Sequence, residues 1–301
     1  MQRKWINWII FIGLSFIWGS SFLLMKIAME PGPFQLSPYQ VASLRMFFSG
    51  LALTPIAYKA FKEIPKDKLG IVILSGLLGS FIPAYLFCIA ETKIDSALAG
   101  ILNSLTPLFT IIVGIAFFKM HSDGKKIMGI LLGLAGLALS VSAGKHIQFD
   151  NFSYSFLVII ATIFYGINVN MVGKFMHHIK ALHIASFAFV FSMIPSGIIL
   201  YVTGYLSNDF TNCEFLQASF AGGILGVINT SLASILFYVL VKRSGIVFAS
   251  MVTYAIPFVS LVLGLFYKEA IHPLRILGLL IILLGVYIVN RRPSNQAKSA
   301  N

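Results

Sequence analysis

Apolar residues gather into ten long stretches along the chain, at about 5–29, 37–58, 69–90, 95–118, 125–143, 154–173, 182–204, 216–241, 246–267 and 272–290. Short polar connections part them. A helix needs roughly 20 such residues to cross the hydrocarbon of a bilayer. The pattern therefore predicts ten transmembrane helices in an all-α integral membrane protein. No connection is long enough for a soluble domain, so any chemistry must sit inside the membrane or at its rims. The first stretch, Trp5 to Met29, is far longer than the roughly 7–15 residues of a cleavable signal core and no Ala-x-Ala follows. It is expected to stay as the first helix.

Composition agrees with that reading: 58% of residues are hydrophobic, 11% are charged and the mean hydropathy is +0.89. A soluble domain carries about a quarter charged residues. The net charge of +12 could suggest nucleic acid, but its distribution argues otherwise. Sixteen of the 22 Lys and Arg fall at the N-terminus, the C-terminal tail and every second connection, and four fall on the other side. Lys26 and Arg45 lie within helices. Such a bias predicts a multi-pass inner-membrane protein with both termini cytoplasmic, and no nucleic-acid partner. The two cysteines, Cys88 and Cys213, have neither a disulfide framework nor metal-ligand spacing.

The chain also repeats weakly at a spacing near 150. Pro107 matches Pro257, Gly76 matches Gly226, Gly129 and Gly136 match Gly278 and Gly285, and Trp18-Gly19 matches Tyr165-Gly166. Five helices per half is an odd number, so the second half must enter the membrane from the opposite side. Inverted repeats of this kind recur in transporters, because two pseudo-equivalent halves can exchange inward-open and outward-open shapes. The expected boundaries are 1–143 for the first repeat, 144–153 for a periplasmic connection, 154–290 for the second repeat and 291–301 for a cytoplasmic tail.

Trp18-Gly19-Ser20-Ser21-Phe22, Arg45, the stretch Ala97 to Pro107, and its repeat Ala249 to Pro257 followed by Glu269 resemble the EamA family of the drug/metabolite transporter superfamily. The resemblance covers nearly the whole chain. It implies ten helices around a central cavity lined by the first four helices of each half, with the fifth and tenth at the periphery. It also implies export of amino acids or other metabolites. The family's acidic residue twelve positions after the proline is present as Glu269, whereas the first half has Lys119.

All ten acidic residues and all six histidines lie in connections or near helix ends. A mid-membrane proton relay, an intramembrane protease or a metal-dependent enzyme would need such groups buried, so no catalytic residue, metal or cofactor is expected. The His177-His178…His183 cluster reads as solvated rim residues rather than a metal site. Arg45 lies about eight residues, roughly 12 Å, inside the second helix, where a charge costs ~2.5–3.5 kcal/mol on insertion scales. It is either a binding-site cation for a substrate carboxylate or phosphate, or a guanidinium held by backbone carbonyls, Glu91 or Asp95. Lys26 reads as a snorkelling anchor.

Pro107 and Pro257 each remove a backbone hydrogen bond near the bilayer centre, as gating hinges or as fixed kinks. Asn103, Thr106, Pro107 and Thr110 share one face of the fourth helix. Trp18, Ser21 and Met25 mark a face of the first helix, and Tyr165 and Asn168 the matching face of the sixth. Tyr85, Asn229, Tyr238 and Tyr254 add polar tips. Each could be interhelical glue, but their convergence from several helices suits a mixed polar and apolar metabolite. Gly129, Gly133 and Gly136 read as a close-packing face. The resulting expectation is a monomeric alternating-access exporter, whose partners are a small-molecule substrate and the lipid bilayer. An uptake carrier for an anionic metabolite, using Arg45 and Lys26, is the main alternative, and a membrane-embedded enzyme the weaker one.

Overall fold

The computed structural model describes residues 2–30, 35–120, 124–142, 149–266 and 272–290, and every regular element among them is helical. Helices α1 (Gln2–Ala28) and α2 (Pro38–Glu63) are single rods. The third apolar stretch is composite: a 3₁₀ turn (Lys66–Lys68), α3 (Leu69–Gly76), a π turn (Leu77–Phe81) and α4 (Ile82–Ala90). The fourth is α5 (Ser96–Asn103) and α6 (Thr106–Phe118). Then follow α7 (Gly124–Ser142), α8 (Phe149–Phe175) and α9 (Ala181–Val202). The eighth stretch is α10 (Cys213–Ile224), a π segment (Leu225–Leu232) and α11 (Ala233–Ser244). The ninth is α12 (Ile246–Ser250) and α13 (Val252–Phe266), and α14 (Pro273–Asn290) closes the series. Eight runs are long and apolar enough to cross a membrane, and the fifth and tenth stretches are shorter apolar helices, Ile127–Ser140 and Pro273–Gly285.

Local chemistry sets the boundaries. Ser37 and Gln40 form a reciprocal capping box in front of α2, with Pro38 in the first turn, where its missing N–H costs nothing. Asp95 Oδ1 accepts from Leu98 N at 2.7 Å and starts α5; Asn212 starts α10 in the same way. The fourth stretch reads as one continuous helix kinked at Pro107, but it breaks earlier, at Ser104–Leu105. Pro107 then sits in the first turn of α6. The carbonyl its ring deprives of a donor is that of Asn103, and Thr106 Oγ1 donates to it at 2.8 Å. The ninth stretch breaks at Met251, well ahead of Pro257, which lies inside α13.

The repeat is visible in the packing. Exchanging the halves turns the contact of α1 with α13 into that of α8 with α6, and the contact of α2 with the eighth span into that of α9 with the third. The pairs α2·α9 and α7·α14 map onto themselves. Gly19 and Gly166 explain two of these matches. A Cβ on Gly19 would come within 2.5 Å of Val259 Cβ, and one on Gly166 within 2.9 Å of the Phe109 carbonyl carbon. Only glycine lets these helices approach so closely. Along α7 and α14 the approach is backbone to backbone: a Cβ on Gly136 would lie 2.6 Å from Gly278 O. Gly278 and Gly285 answer Gly136 and Gly129, as close packing by this face requires.

Large apolar side chains face outward on many spans, among them Phe16, Phe117, Ile194, Phe220 and Phe266. Water would penalise such a surface, and lipid tails would not. The polar side chains turn inward instead.

Candidate substrate site

A cavity of about 70 Å³ lies among both halves. Ten of the residues singled out from the sequence line it: Trp18, Ser21, Met25, Arg45, Asn103, Thr106, Tyr165, Asn168, Asn229 and Tyr238. Tyr85, Pro107, Thr110, Tyr254 and Pro257 do not. The Tyr85 hydroxyl is 2.8 Å from Ser43 Oγ on α2, while Pro107, Pro257 and Tyr254 lie behind the wall in α6 and around the start of α13. Lys26 is half-buried and also outside the lining. Glu269 lies outside the described residues.

Thr253 occupies the place expected of Tyr254. It stands 150 positions from Asn103, so the repeat contained the signal, but moving one residue along a helix turns the side chain by about 100°. Phe22 of the first-helix motif also lines the cavity, as do Thr230, Phe87 and Phe237, to which the sequence does not point. Thr230 escaped notice because the π segment re-phases its helix, which brings Asn229 and Thr230 side by side to the wall.

The walls are largely aromatic. The rings of Tyr165 and Phe87 stack with centroids 6.1 Å apart, Phe22 tilts against Phe87 at 5.7 Å, and Trp18 against Phe237 at 5.2 Å. Hydrogen bonds lock the walls across the halves. Trp18 Nε1 donates to Asn229 O at 3.0 Å, and the Asn229 amide donates back to Ile17 O. Ser75 Oγ on α3 donates to Asn168 Oδ1 on α8 at 2.5 Å.

Arg45 is the charge on the wall. Its Nε donates to Thr230 Oγ1 at 2.6 Å, and Nη1 lies 3.9 Å from the Met25 sulfur. Thr230 in turn donates to Leu225 O, five residues back, at 2.8 Å, which fits the wider π turn. Of the expected carboxylate partners, Asp95 caps α5 and pairs with Arg275, and Glu91, which is also buried, does not line the cavity. Among the described residues no carboxylate or histidine lines the cavity.

The histidines are not uniformly solvated. His177 and His178 are exposed, but His183 is 4% exposed, with Nδ1 3.5 Å from Glu63 Oε2, which also pairs with Lys180 at 2.8 Å. This cluster ties the end of α2 to the start of α9, away from the cavity. Among the described residues no group of three His, Cys, Asp or Glu could hold a metal.

The model of the EamA-like transporter family matches residues 5–142 and 152–291. The chain belongs to the EamA family. As a member of the drug/metabolite transporter group it is a membrane transporter rather than an enzyme. A transporter of Archaeoglobus fulgidus is 25% identical over 298 residues, covering 97% of this chain and 100% of that one. The probable amino-acid metabolite efflux pump of Escherichia coli K12 is 24% identical, with 90% of each chain covered. A probable terminal-alkyne amino-acid exporter of Streptantibioticus cattleyicolor is 20% identical, covering 94% of this EamA chain and 93% of its own. One solved crystal structure shares the fold, with a TM-score of 0.63 at 16% identity over 96% of this chain and 98% of that one.

Proposed function

We propose that this EamA protein is a ten-span inner-membrane carrier that exports amino acids or related metabolites by alternating access. The observation that carries the reading is the cavity, whose wall is shared between two interlocked repeats, with its polar groups turned inward from most of the spans. Relatives named as amino-acid exporters support the substrate class. The repeats are assigned to 1–143 and 154–290, joined through a periplasmic connection at 144–153 and followed by a cytoplasmic tail, 291–301. Both termini face the cytoplasm, and a single copy suffices because both halves of the cavity come from one chain.

The volume of about 70 Å³ is small beside the roughly 300–1,000 Å³ of ordinary ligand pockets. A substrate therefore needs the walls to part, and the cross-half bonds at Trp18–Asn229 and Ser75–Asn168 are the ones that must yield. Metabolomic comparison of medium from overexpressing and null cells tests the function: an excess of one amino acid or derivative outside overexpressing cells is expected. Indistinguishable media would sink the export reading. Orientation is tested separately. Cysteines placed between Lys62 and Lys68 should resist an impermeant reagent added outside, and one near Asn208 should react; the reverse pattern overturns it.

A further inference from the structure

A carrier in a polarised membrane responds to the charge that its cargo carries through it. Arg45 is 9% exposed and presents its guanidinium to the cavity. One N–H is committed to Thr230 Oγ1, and the Met25 thioether at 3.9 Å is too distant for a useful hydrogen bond. Most of the five-donor fork is therefore free to meet an incoming acceptor. The other polar lining groups, such as Ser21, Asn103 and Thr253, are neutral, and no carboxylate joins them among the described residues. A buried cation in a lining that holds no carboxylate favours an anionic ligand, and a carboxylate matches the guanidinium with two parallel bonds. A zwitterion would bring an ammonium for which the lining holds no carboxylate, and a cation would be repelled. The aromatic walls fix the rest of the cargo.

We propose that the cargo is an aromatic monocarboxylate carried as a net monoanion, and that the membrane potential alone drives it outward. The proposal rests on the transport reading above, narrows its cargo from amino acids to related metabolites that lack the ammonium, and names the driving force. Arg45 stays on its helix, so each cycle moves one negative charge out of the cell. A negative interior then sustains a gradient of about 50-fold, the equivalent of about 100 mV acting on one charge. No proton-binding group in the lining is required, in keeping with the absence of carboxylate and histidine there.

The test uses the purified full chain in liposomes, with valinomycin and a potassium gradient of about 50-fold, high outside, so that the interior becomes positive. Radiolabelled phenylpyruvate, an aromatic carboxylate without an ammonium, should accumulate inside to about 50 times its outside concentration. Phenylalanine, the zwitterion on the same skeleton, and phenethylamine, its cationic counterpart, should not. Arg45→Gln should abolish accumulation. Arg45→Lys keeps the charge but loses the fork, so it should transport slowly, at higher KM, to the same plateau. Phenylpyruvate that only equilibrates whatever the gradient, or phenylalanine transported in preference to it, overturns the proposal and leaves the transport reading standing. None of the three probes moving faster than in empty liposomes overturns both.

Discussion

The contact of α2 with the eighth span and that of α9 with the third span exchange places when the two halves are exchanged, yet they are built from different chemistry. In the first, Arg45 reaches Thr230, and Ser231 Oγ lies 2.8 Å from Ser49 Oγ, so charge and hydroxyls weld the helices. In the second, at the offset of 147 that relates Trp18 to Tyr165, Arg45 falls on Ser192, whose hydroxyl only donates to Ala188 O on its own helix at 2.9 Å. The third span meets α9 there through Gly76 against Ala188, apolar and close. Both spans carry a π turn at matching depth, Leu77–Phe81 and Leu225–Leu232. Symmetry therefore sets the scaffold, and asymmetry places the cation on the cavity wall.

The largest effect should come from removing that asymmetry. Arg45→Ala should lower transport by about 10- to 150-fold, since a charge-assisted hydrogen bond is worth roughly 1.5–3 kcal/mol, while the protein stays folded in the membrane. Ser192→Ala, at the pseudo-equivalent site, should leave initial rates within about twofold. Equal losses in flux assays on matched protein amounts would mean that the halves are functionally alike. Thr230→Val tests the weld itself. It leaves Arg45 charged but unanchored, and should reduce transport about tenfold, mostly through KM. An unchanged KM would show that Arg45 needs no positioning by the second half. The smallest effect belongs to Tyr85→Phe, which removes a hydroxyl that bonds Ser43 outside the cavity. Interhelical bonds in membranes average ~0.6 kcal/mol, so flux should change less than about threefold. A larger loss would place Tyr85 on the substrate's path in another conformation.

How far the chain could be read in advance follows from the same contrast. The spans, their repeat and the inward polar set depend on the period of hydrophobicity and on residue type, both local properties. Trp18, Arg45, Asn103 and Asn168 could be named because a polar group in an apolar span must face the interior or pay a desolvation penalty. Choosing between neighbours was different. The sequence points to Tyr254, yet the break at Met251 and the path of α13 bring Thr253 to the wall.

The sequence by itself determined the membrane solvent, the two related halves and the existence of one deep cation. Only the tertiary structure decided which partner that cation takes. Arg45 and Thr230 lie 185 positions apart and meet because the π segment of the eighth span turns Thr230 towards α2. Nor could Pro107 be seen beforehand as the start of a helix rather than a kink within one, since Thr106 accommodates it by bonding the Asn103 carbonyl. The physical reason is common to these cases. Hydrophobic period fixes that a side chain points inward to within about one residue, or 100° of helix rotation, whereas a hydrogen bond requires alignment within a few tenths of an ångström. Breaks, π turns and long-range packing supply that alignment.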